Sequence, residues 1–268
     1  MKKVFLTLAA VLTSVLAMSQ FYVYKGGHLL YEIEDGIADS VTFVKPDYLG
    51  FENGYEWVDL GLTSGTRWAA MNVGANKAED YGNYYAWGET TTKETYSWAT
   101  YLDGNIKHKD EDCGTEKDAL KDVTDIAGTQ YDAATANWGG KWRMPTYDQQ
   151  TELRNECYWV WTGSYNGSNV YGFIVYKAKS ESDKGVKVYS NGTPSSSYSL
   201  SDAHIFLPCA GYYGQDGYHL DGGYYISSSL NTDTPYYAWR ISINSGHASG
   251  NGSNRNYGCS VRAVFKAE

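Results

Sequence analysis

The residues best suited to binding chemistry lie in one segment near the end of this 268-residue chain. Between Tyr212 and Gly258 there are 8 Tyr, 8 Gly, 7 Ser and 5 Asn, which together make 28 of 47 residues. Tyrosine supplies a large contact area at a low cost in rotamer entropy, and Ser, Gly and Asn supply adaptable hydrogen bonds. This composition favours a surface that binds a ligand.

The titratable residues give little support for catalysis. Neither a Gly-x-Ser-x-Gly nor a His-Glu-x-x-His motif occurs, and the five histidines are scattered over positions 28, 108, 204, 219 and 247. Paired catalytic carboxylates can come from any part of a fold, so a secreted hydrolase remains one alternative. We expect a protein that is not an enzyme and that needs no cofactor.

Two acidic residues in a glycine-rich loop, Asp216 and Asp221, are the only candidates for a metal site. Their oxygens have the chemistry that Ca²⁺ prefers, but the run lacks the dense, regular spacing of a strong site. A solvated turn is the favoured interpretation, and no metal is expected.

Four cysteines, Cys113, Cys157, Cys209 and Cys259, form no C-x-x-C pair and no cluster with histidine. Export would permit disulfides, and four cysteines allow three pairings. Cys209 and Cys259 each lie in a strand-like run, so they are the preferred pair. Free buried thiols are the alternative.

The first 19 residues have the features of a secretory signal peptide. Lys2 and Lys3 precede an apolar run, and Ala17 and Ser19 fit the small-x-small cleavage rule, which places the mature start at Gln20. No cysteine stands at the cleavage site, which argues against a lipoprotein anchor. Later segments are too short or too polar to span a membrane, so no transmembrane segment is expected.

The chain is acidic, with a formal net charge of -9 that becomes -11 when Lys2 and Lys3 are removed. Binding to nucleic acid depends on basic patches, so nucleic acid is not expected as a partner. Solubility of a secreted protein is a sufficient explanation for the charge.

The pattern along the chain predicts a small β module in residues 20–50, followed by an α+β domain in residues 51–268 with a largely antiparallel, irregular sheet. A two-glycine turn at Gly26 and Gly27 joins the first two strands of the module. Residues from Tyr55 onward are predicted to be rich in loops. One helix is predicted over Asp132–Asn137, and a second begins at Thr146, where Gln149 completes a capping box, and runs to about Cys157. The predicted strands are Phe21–Tyr24, Leu29–Ile33, Ser40–Phe43, Gly172–Tyr176, Val186–Tyr189, His204–Pro208, Ala238–Ile243 and Ser260–Val264.

Six phrases in order resemble the Fibrobacter succinogenes major paralogous domain family. The resemblance covers about Tyr55 to Val264, and its phrases are YEWVDLGLTSGTRWA at 55–69, NVGA at 72–75, DYGNYYAWGE at 80–89, WGGKWRMPT at 138–146, FLPCAGY at 206–212 and YGCSVR at 257–262. It implies a C-type-lectin-like fold, related to the formylglycine-generating-enzyme and retroelement-diversified receptor branches, in a secreted protein of a Bacteroidetes-type bacterium.

The resemblance also implies that the strand and loop before the last phrase form an exposed ligand face. In this chain that face would comprise Tyr236, Tyr237, Trp239, Arg240, Ser242, Asn244, Ser245, His247, Ser249, Asn251, Asn254, Asn256 and Tyr257. Met71 stands where many members carry cysteine, so Cys157 lacks its usual partner. Cys209 and Cys259 are also too far apart in sequence to match the cysteine pair of the formylglycine-generating branch.

These observations predict a secreted or cell-surface protein that binds a protein or a glycan through its C-terminal face. A structural or adhesive surface component, whose aromatic face packs on a neighbouring subunit, is the second alternative besides the hydrolase. The phrase from Trp138 to Thr146 is interpreted as scaffold, because tryptophans in such a turn bury a large area.

Overall fold

A computed structural model describes residues 21–25, 28–33, 46–104, 106–185 and 194–266, with the backbone alone described for the first two ranges. The predicted signal peptide in residues 1–19, the glycine turn and the strands predicted at Ser40–Phe43 and Val186–Tyr189 lie outside these residues. In the part of the chain that is described, no helix has the length and apolarity needed to cross a bilayer.

Strands predominate, and the α-helices are short. The helices are α1 (Lys109–Asp112), α2 (Ala133–Trp138) and α3 (Tyr147–Glu156). The strands are β1 (Phe21–Lys25), β2 (His28–Ile33), β3 (Leu49–Glu52), β4 (Tyr55–Asp59), β5 (Thr66–Ala69), β6 (Tyr84–Tyr85), β7 (Cys157–Thr162), β8 (Gly172–Lys177), β9 (His204–Pro208), β10 (Tyr212–Gly214), β11 (Gly217–His219), β12 (Gly223–Leu230), β13 (Tyr237–Asn244), β14 (His247–Asn254), β15 (Cys259–Ser260) and β16 (Val264–Lys266).

The strands form separate small sheets. The largest has the order β14-β13-β12-β15-β6, a second has the order β16-β5-β4-β3, and a third has the order β7-β8-β9. The pairs β1-β2 and β10-β11 are two-stranded. Every pair is antiparallel except β12 with β15. The predicted α+β class with a mostly antiparallel sheet is therefore confirmed.

Both predicted helices are present because their ends carry the expected capping groups. The Asp132 side chain accepts hydrogen bonds from the N–H groups of Ala134 and Thr135 at the start of α2, and Gly139 ends that helix with a φ of 62°. Thr146 and Gln149 form both halves of the capping box at the start of α3.

The strand prediction was less complete in the first third of the domain. Residues from Tyr55 were predicted to be loops, but β4 and β5 pair there, with Val58 and Trp68 buried. Strand β3 crosses the predicted boundary at residue 50 and pairs with β4, so this sheet begins at Leu49. The predicted strand at Ser260–Val264 is divided, because β15 joins the largest sheet while β16 joins the four-stranded one.

Arg262 links the four-stranded sheet to the three-stranded sheet from a fully buried position. Its Nε donates to Asn72 Oδ1 at 2.9 Å, and its Nη2 donates to the carbonyl oxygen of Phe206 at 2.7 Å. Its Nη1 donates to the carbonyls of Ala69 and Ala70. Burial lowers the pKa of Arg262 to about 10. Residues of four of the six quoted phrases therefore meet inside the scaffold, at the side chain of Arg262.

The predicted disulfide between Cys209 and Cys259 is wrong, because all four cysteines are buried free thiols. Cys209 packs in one core cluster with Leu207 and Ile243, whereas Cys259 packs in a second cluster with Val261. Cys209 directly follows β9 and Cys259 lies on β15, and these two strands belong to different sheets.

Candidate functional site

One face of the largest sheet brings together part of the predicted ligand surface. Tyr224 on β12 lies opposite Ser242 on β13, and Arg240 lies opposite Asn251 on β14. Opposed residues share a face of a sheet, as do alternate residues along a strand. We call Tyr212, Tyr224, Arg240, Ser242, Asn251 and Tyr257 the tyrosine face.

The Arg240 guanidinium is held flat by aromatic rings and a carboxamide. Its central carbon lies 4.2 Å from the ring centroid of Tyr224 and 5.9 Å from that of Tyr212. Its Nε donates to Asn251 Oδ1 at 3.1 Å, and the Ser242 hydroxyl donates to the same oxygen at 3.0 Å. Arg240 is half-buried and makes no ion pair within the described residues, so no carboxylate there neutralises its positive charge.

The rings around Arg240 pack on one another. The Tyr212 ring centroid lies 4.8 Å from that of Tyr224 and 5.4 Å from that of Tyr257. Burial, followed by the nearby Asp221 carboxylate, raises the pKa of Tyr224 to about 12, so its hydroxyl stays protonated at neutral pH. These aromatic groups form an ordered, half-buried platform.

The two candidate calcium ligands, Asp216 and Asp221, contact different side chains. Asp216 Oδ1 lies 2.8 Å from His219 Nε2, and the His219 ring stacks on Tyr212 with centroids 4.8 Å apart. Asp221 Oδ1 accepts a hydrogen bond from the Tyr224 hydroxyl at 2.9 Å. No group of three His, Cys, Asp or Glu residues that could hold a metal ion is found in the described ranges.

Trp239 faces the opposite side of the sheet from Arg240. Its ring stacks on Tyr147 of α3 with centroids 4.4 Å apart and an interplanar angle of 21°. Ile241 and Ile243, which alternate with Arg240 and Ser242, are buried on that same side as predicted. Trp239 therefore fixes α3 to the sheet and is not an exposed neighbour of Arg240.

The remaining residues of the predicted face are dispersed. Tyr236 and Tyr237 pack edge to face at 4.6 Å, and the Lys109 ammonium lies 4.6 Å from the Tyr236 ring centroid. Asn254 is half-buried at the far end of β14. Asn256 is fully buried and donates to the Tyr96 carbonyl oxygen at 3.2 Å, so its assignment to an exposed face is wrong.

The turn between β13 and β14 is exposed from Asn244 to His247. Asn244 Oδ1 accepts hydrogen bonds from the N–H groups of Gly246 and His247 at 2.9 and 3.3 Å. Ser245 is exposed at the tip and Ser249 is half-buried farther along β14. The turn has a defined conformation because the Asn244 side chain closes it.

A groove of about 370 Å³ lies beside this turn. Its lining combines aromatic, amide and carboxylate groups from three parts of the fold, namely Tyr81, Trp161, Asn169, Tyr171, Cys209, Leu220, Asp221, Gly222, Asn244 and Ser245. Asp221 also contacts the tyrosine face through Tyr224, so the two surfaces are adjacent.

The groove has two unusually exposed apolar side chains at its rim. Tyr171 is 59% exposed and Leu220 is 60% exposed. Sequence reasoning missed this part of the site, although a signal was present. All seven residues from 163 to 169 are Gly, Ser, Tyr or Asn, which is the composition that identified the C-terminal segment.

The two tryptophans of the phrase from Trp138 to Thr146 have the buried positions expected of scaffold. Trp138 stacks on Tyr55 with centroids 4.0 Å apart, and Trp142 Nε1 donates to the carbonyl oxygen of Glu52 at 2.8 Å. Both tryptophans are buried.

No protein-family profile, curated protein or solved structure matches this chain.

Proposed function

We propose that this chain is a secreted or cell-surface binding protein of C-type-lectin-like architecture, which recognises a protein or glycan ligand through the tyrosine face and the adjacent β13–β14 turn. The observation that carries the proposal is the Arg240 guanidinium, stacked 4.2 Å from Tyr224 and held by Asn251 without an acidic partner among the described residues. Arginine and tyrosine are, with tryptophan, the residue types that are enriched in binding hot spots.

The arrangement supports binding because the side chains that would contact a ligand are already ordered in the folded protein. Asn251 fixes the Arg240 side chain, and the rings of Tyr224 and Tyr212 pack against it. A ligand would therefore order few additional side chains when it binds. A carboxylate, a carbonyl oxygen or an aromatic ring on the ligand would complement the guanidinium.

The proposal is tested by screening exported residues 20–268 on glycan and protein arrays, with and without Ca²⁺. For a ligand found in this way, Arg240→Ala should weaken binding by about 2 kcal/mol or more, which is about 30-fold. The melting temperature should change little.

Arg67→Ala is the matched control. The Arg67 guanidinium also lies on an aromatic ring, 5.6 Å from the Trp57 centroid, but it belongs to the four-stranded sheet and pairs with Asp59. If Arg67→Ala reduces binding as much as Arg240→Ala, or if neither does, the tyrosine face is not the ligand surface.

A further inference from the structure

The groove beside the β13–β14 turn has a lining that disfavours negatively charged ligands. It contains no lysine or arginine, and its one ionisable carboxylate is Asp221. The whole chain also carries a formal charge of -9. An anionic group bound within the groove would therefore be repelled by Asp221, and the lining offers no cation to offset this.

The groove is also unsuited to a purely apolar ligand. Its lining contains both aromatic rings and polar side chains. The rings are those of Tyr81, Trp161 and Tyr171, and the polar groups are those of Asn169, Asn244, Asp221 and Ser245. Burying such polar groups against an apolar molecule leaves their hydrogen bonds unmade and costs free energy. A suitable ligand presents an apolar surface together with several groups that donate and accept hydrogen bonds.

The polar groups of the groove are held in place before any ligand arrives. Asn244 Oδ1 is used within the turn, which directs its Nδ2 donors elsewhere. Asp221 is fixed by the Tyr224 hydroxyl. Gly222 lies so close to the Ile243 carbonyl oxygen that a Cβ there would be 2.5 Å from it, so this part of the rim is packed tightly on β13.

The aromatic rim has a similar support. The Tyr171 ring lies over Gly163, where an added Cβ would be 3.6 Å from the ring. The backbone N–H of Cys209 donates to the Tyr171 carbonyl oxygen at 2.8 Å, which ties the rim to the floor of the groove. The ring is exposed although its backbone is fixed.

We propose that this groove is a binding subsite for a neutral saccharide, whose C–H faces stack on the aromatic rings while its hydroxyl groups bond to Asn169, Asn244 and Asp221. The inference rests on the proposed function, since it treats the groove as part of the same ligand surface. A volume of about 370 Å³ is at the small end of ligand sites and suits roughly one or two sugar rings.

The test uses isothermal titration calorimetry of exported residues 20–268 with neutral tetrasaccharides of glucose, mannose, galactose and xylose at about 10 mM, a range that detects millimolar affinity. A tetralysine peptide and a tetragalacturonate are the charged probes. We expect at least one neutral tetrasaccharide to bind, with an affinity that does not depend on salt.

Substitutions at the groove rim test whether the saccharide binds there. Tyr171→Ala and Asn169→Gly should each reduce the affinity at least about tenfold, and Tyr171→Phe should retain it because the ring remains. Glycine tolerates the left-handed backbone at Asn169, where φ is 59°. Phe51→Ala, which removes another exposed aromatic ring on a different sheet, should bind like the unmodified protein.

The alternative outcomes separate the two proposals. Binding of tetralysine alone, or saccharide binding that Tyr171→Ala and Asn169→Gly leave unchanged, overturns the saccharide assignment. If no saccharide binds while an array ligand is lost in Arg240→Ala, the groove proposal fails and the proposed function stands. If no saccharide binds and no array ligand depends on Arg240, both fail.

Discussion

Acidification should destabilise this protein through one buried histidine, His204. Its side chain is fully buried on β9, where Nδ1 donates to the Asp202 carbonyl oxygen at 2.8 Å and Nε2 accepts from the Tyr165 hydroxyl at 2.9 Å. The Tyr176 ring lies 5.4 Å away. Burial lowers the pKa of His204 from 6.5 to about 4, although the Asp202 carbonyl and carboxylate oppose that shift.

The size of this loss of folding free energy follows from proton linkage. Between pH 6.5 and 4 the unfolded chain binds a proton at this residue and the folded chain does not, so stability falls as the pH falls. At about 1.4 kcal/mol for each unit of pKa, the full loss is about 3 kcal/mol, of which about 1.4 kcal/mol has occurred at pH 5.5. That value at pH 5.5 should lower the melting temperature by about 3–6 °C in a domain of this size.

The assay is the melting temperature from pH 7 to pH 4 for the unmodified protein and for His204→Gln. The variant should be less stable at pH 7 but should have a flatter profile above pH 4, because it has no buried imidazole to charge. His247→Gln, which changes an exposed histidine in the β13–β14 turn, should keep the original slope. Equal slopes in the unmodified protein and His204→Gln would refute the reasoning.

Three further substitutions test the scaffold by thermal or urea unfolding. Thr146→Ala should cost about 1 kcal/mol by removing the capping box of α3, and an unchanged midpoint would contradict this. Trp142→Ala should cost about 3–5 kcal/mol without preventing ligand binding by the folded fraction, and loss of binding in that fraction would place Trp142 in the site. The buried Arg255 guanidinium lies 2.8 Å from Asp118 Oδ2, and Asp118→Ala leaves it without its carboxylate, so the free energy of unfolding should fall by about 3–5 kcal/mol. A fall below about 1 kcal/mol would show that the pair contributes little to stability.

Local chemistry made parts of this fold predictable from sequence. Thr146 and Gln149 are three residues apart, so the capping box could be recognised without any tertiary contact. The end of α2 at Gly139 was predictable for the same reason. By contrast, the contact between Arg262 and Asn72 joins residues 190 apart in the chain, and no spacing rule links them.

The candidate site was predictable only in part. Alternation along β13 correctly placed Ile241 and Ile243 inside, and the same alternation puts Trp239 on their side. Its partner Tyr147 comes from α3, which the sequence does not position relative to the sheet. The burial of Asn256 likewise depends on the Tyr96 segment, which lies 160 residues earlier.

The positions of His204 and Tyr165 connect the scaffold to the proposed saccharide groove. Tyr165 stacks on Phe206 at 4.1 Å and bonds to His204, and it begins the loop that carries Asn169 and Tyr171 to the groove rim. The Tyr165 N–H also donates to the Val170 carbonyl oxygen at 3.2 Å, which closes that loop. Charging His204 would turn Nε2 into a donor and reverse its hydrogen bond with the Tyr165 hydroxyl, so the groove rim should be perturbed over the same pH range in which the fold loses stability. Arg240, by contrast, is held by Asn251 and Tyr224 of the largest sheet. Acid should therefore weaken saccharide binding before it weakens any ligand held by Arg240, because the loop from Tyr165 to Tyr171 contributes to the groove and not to the tyrosine face.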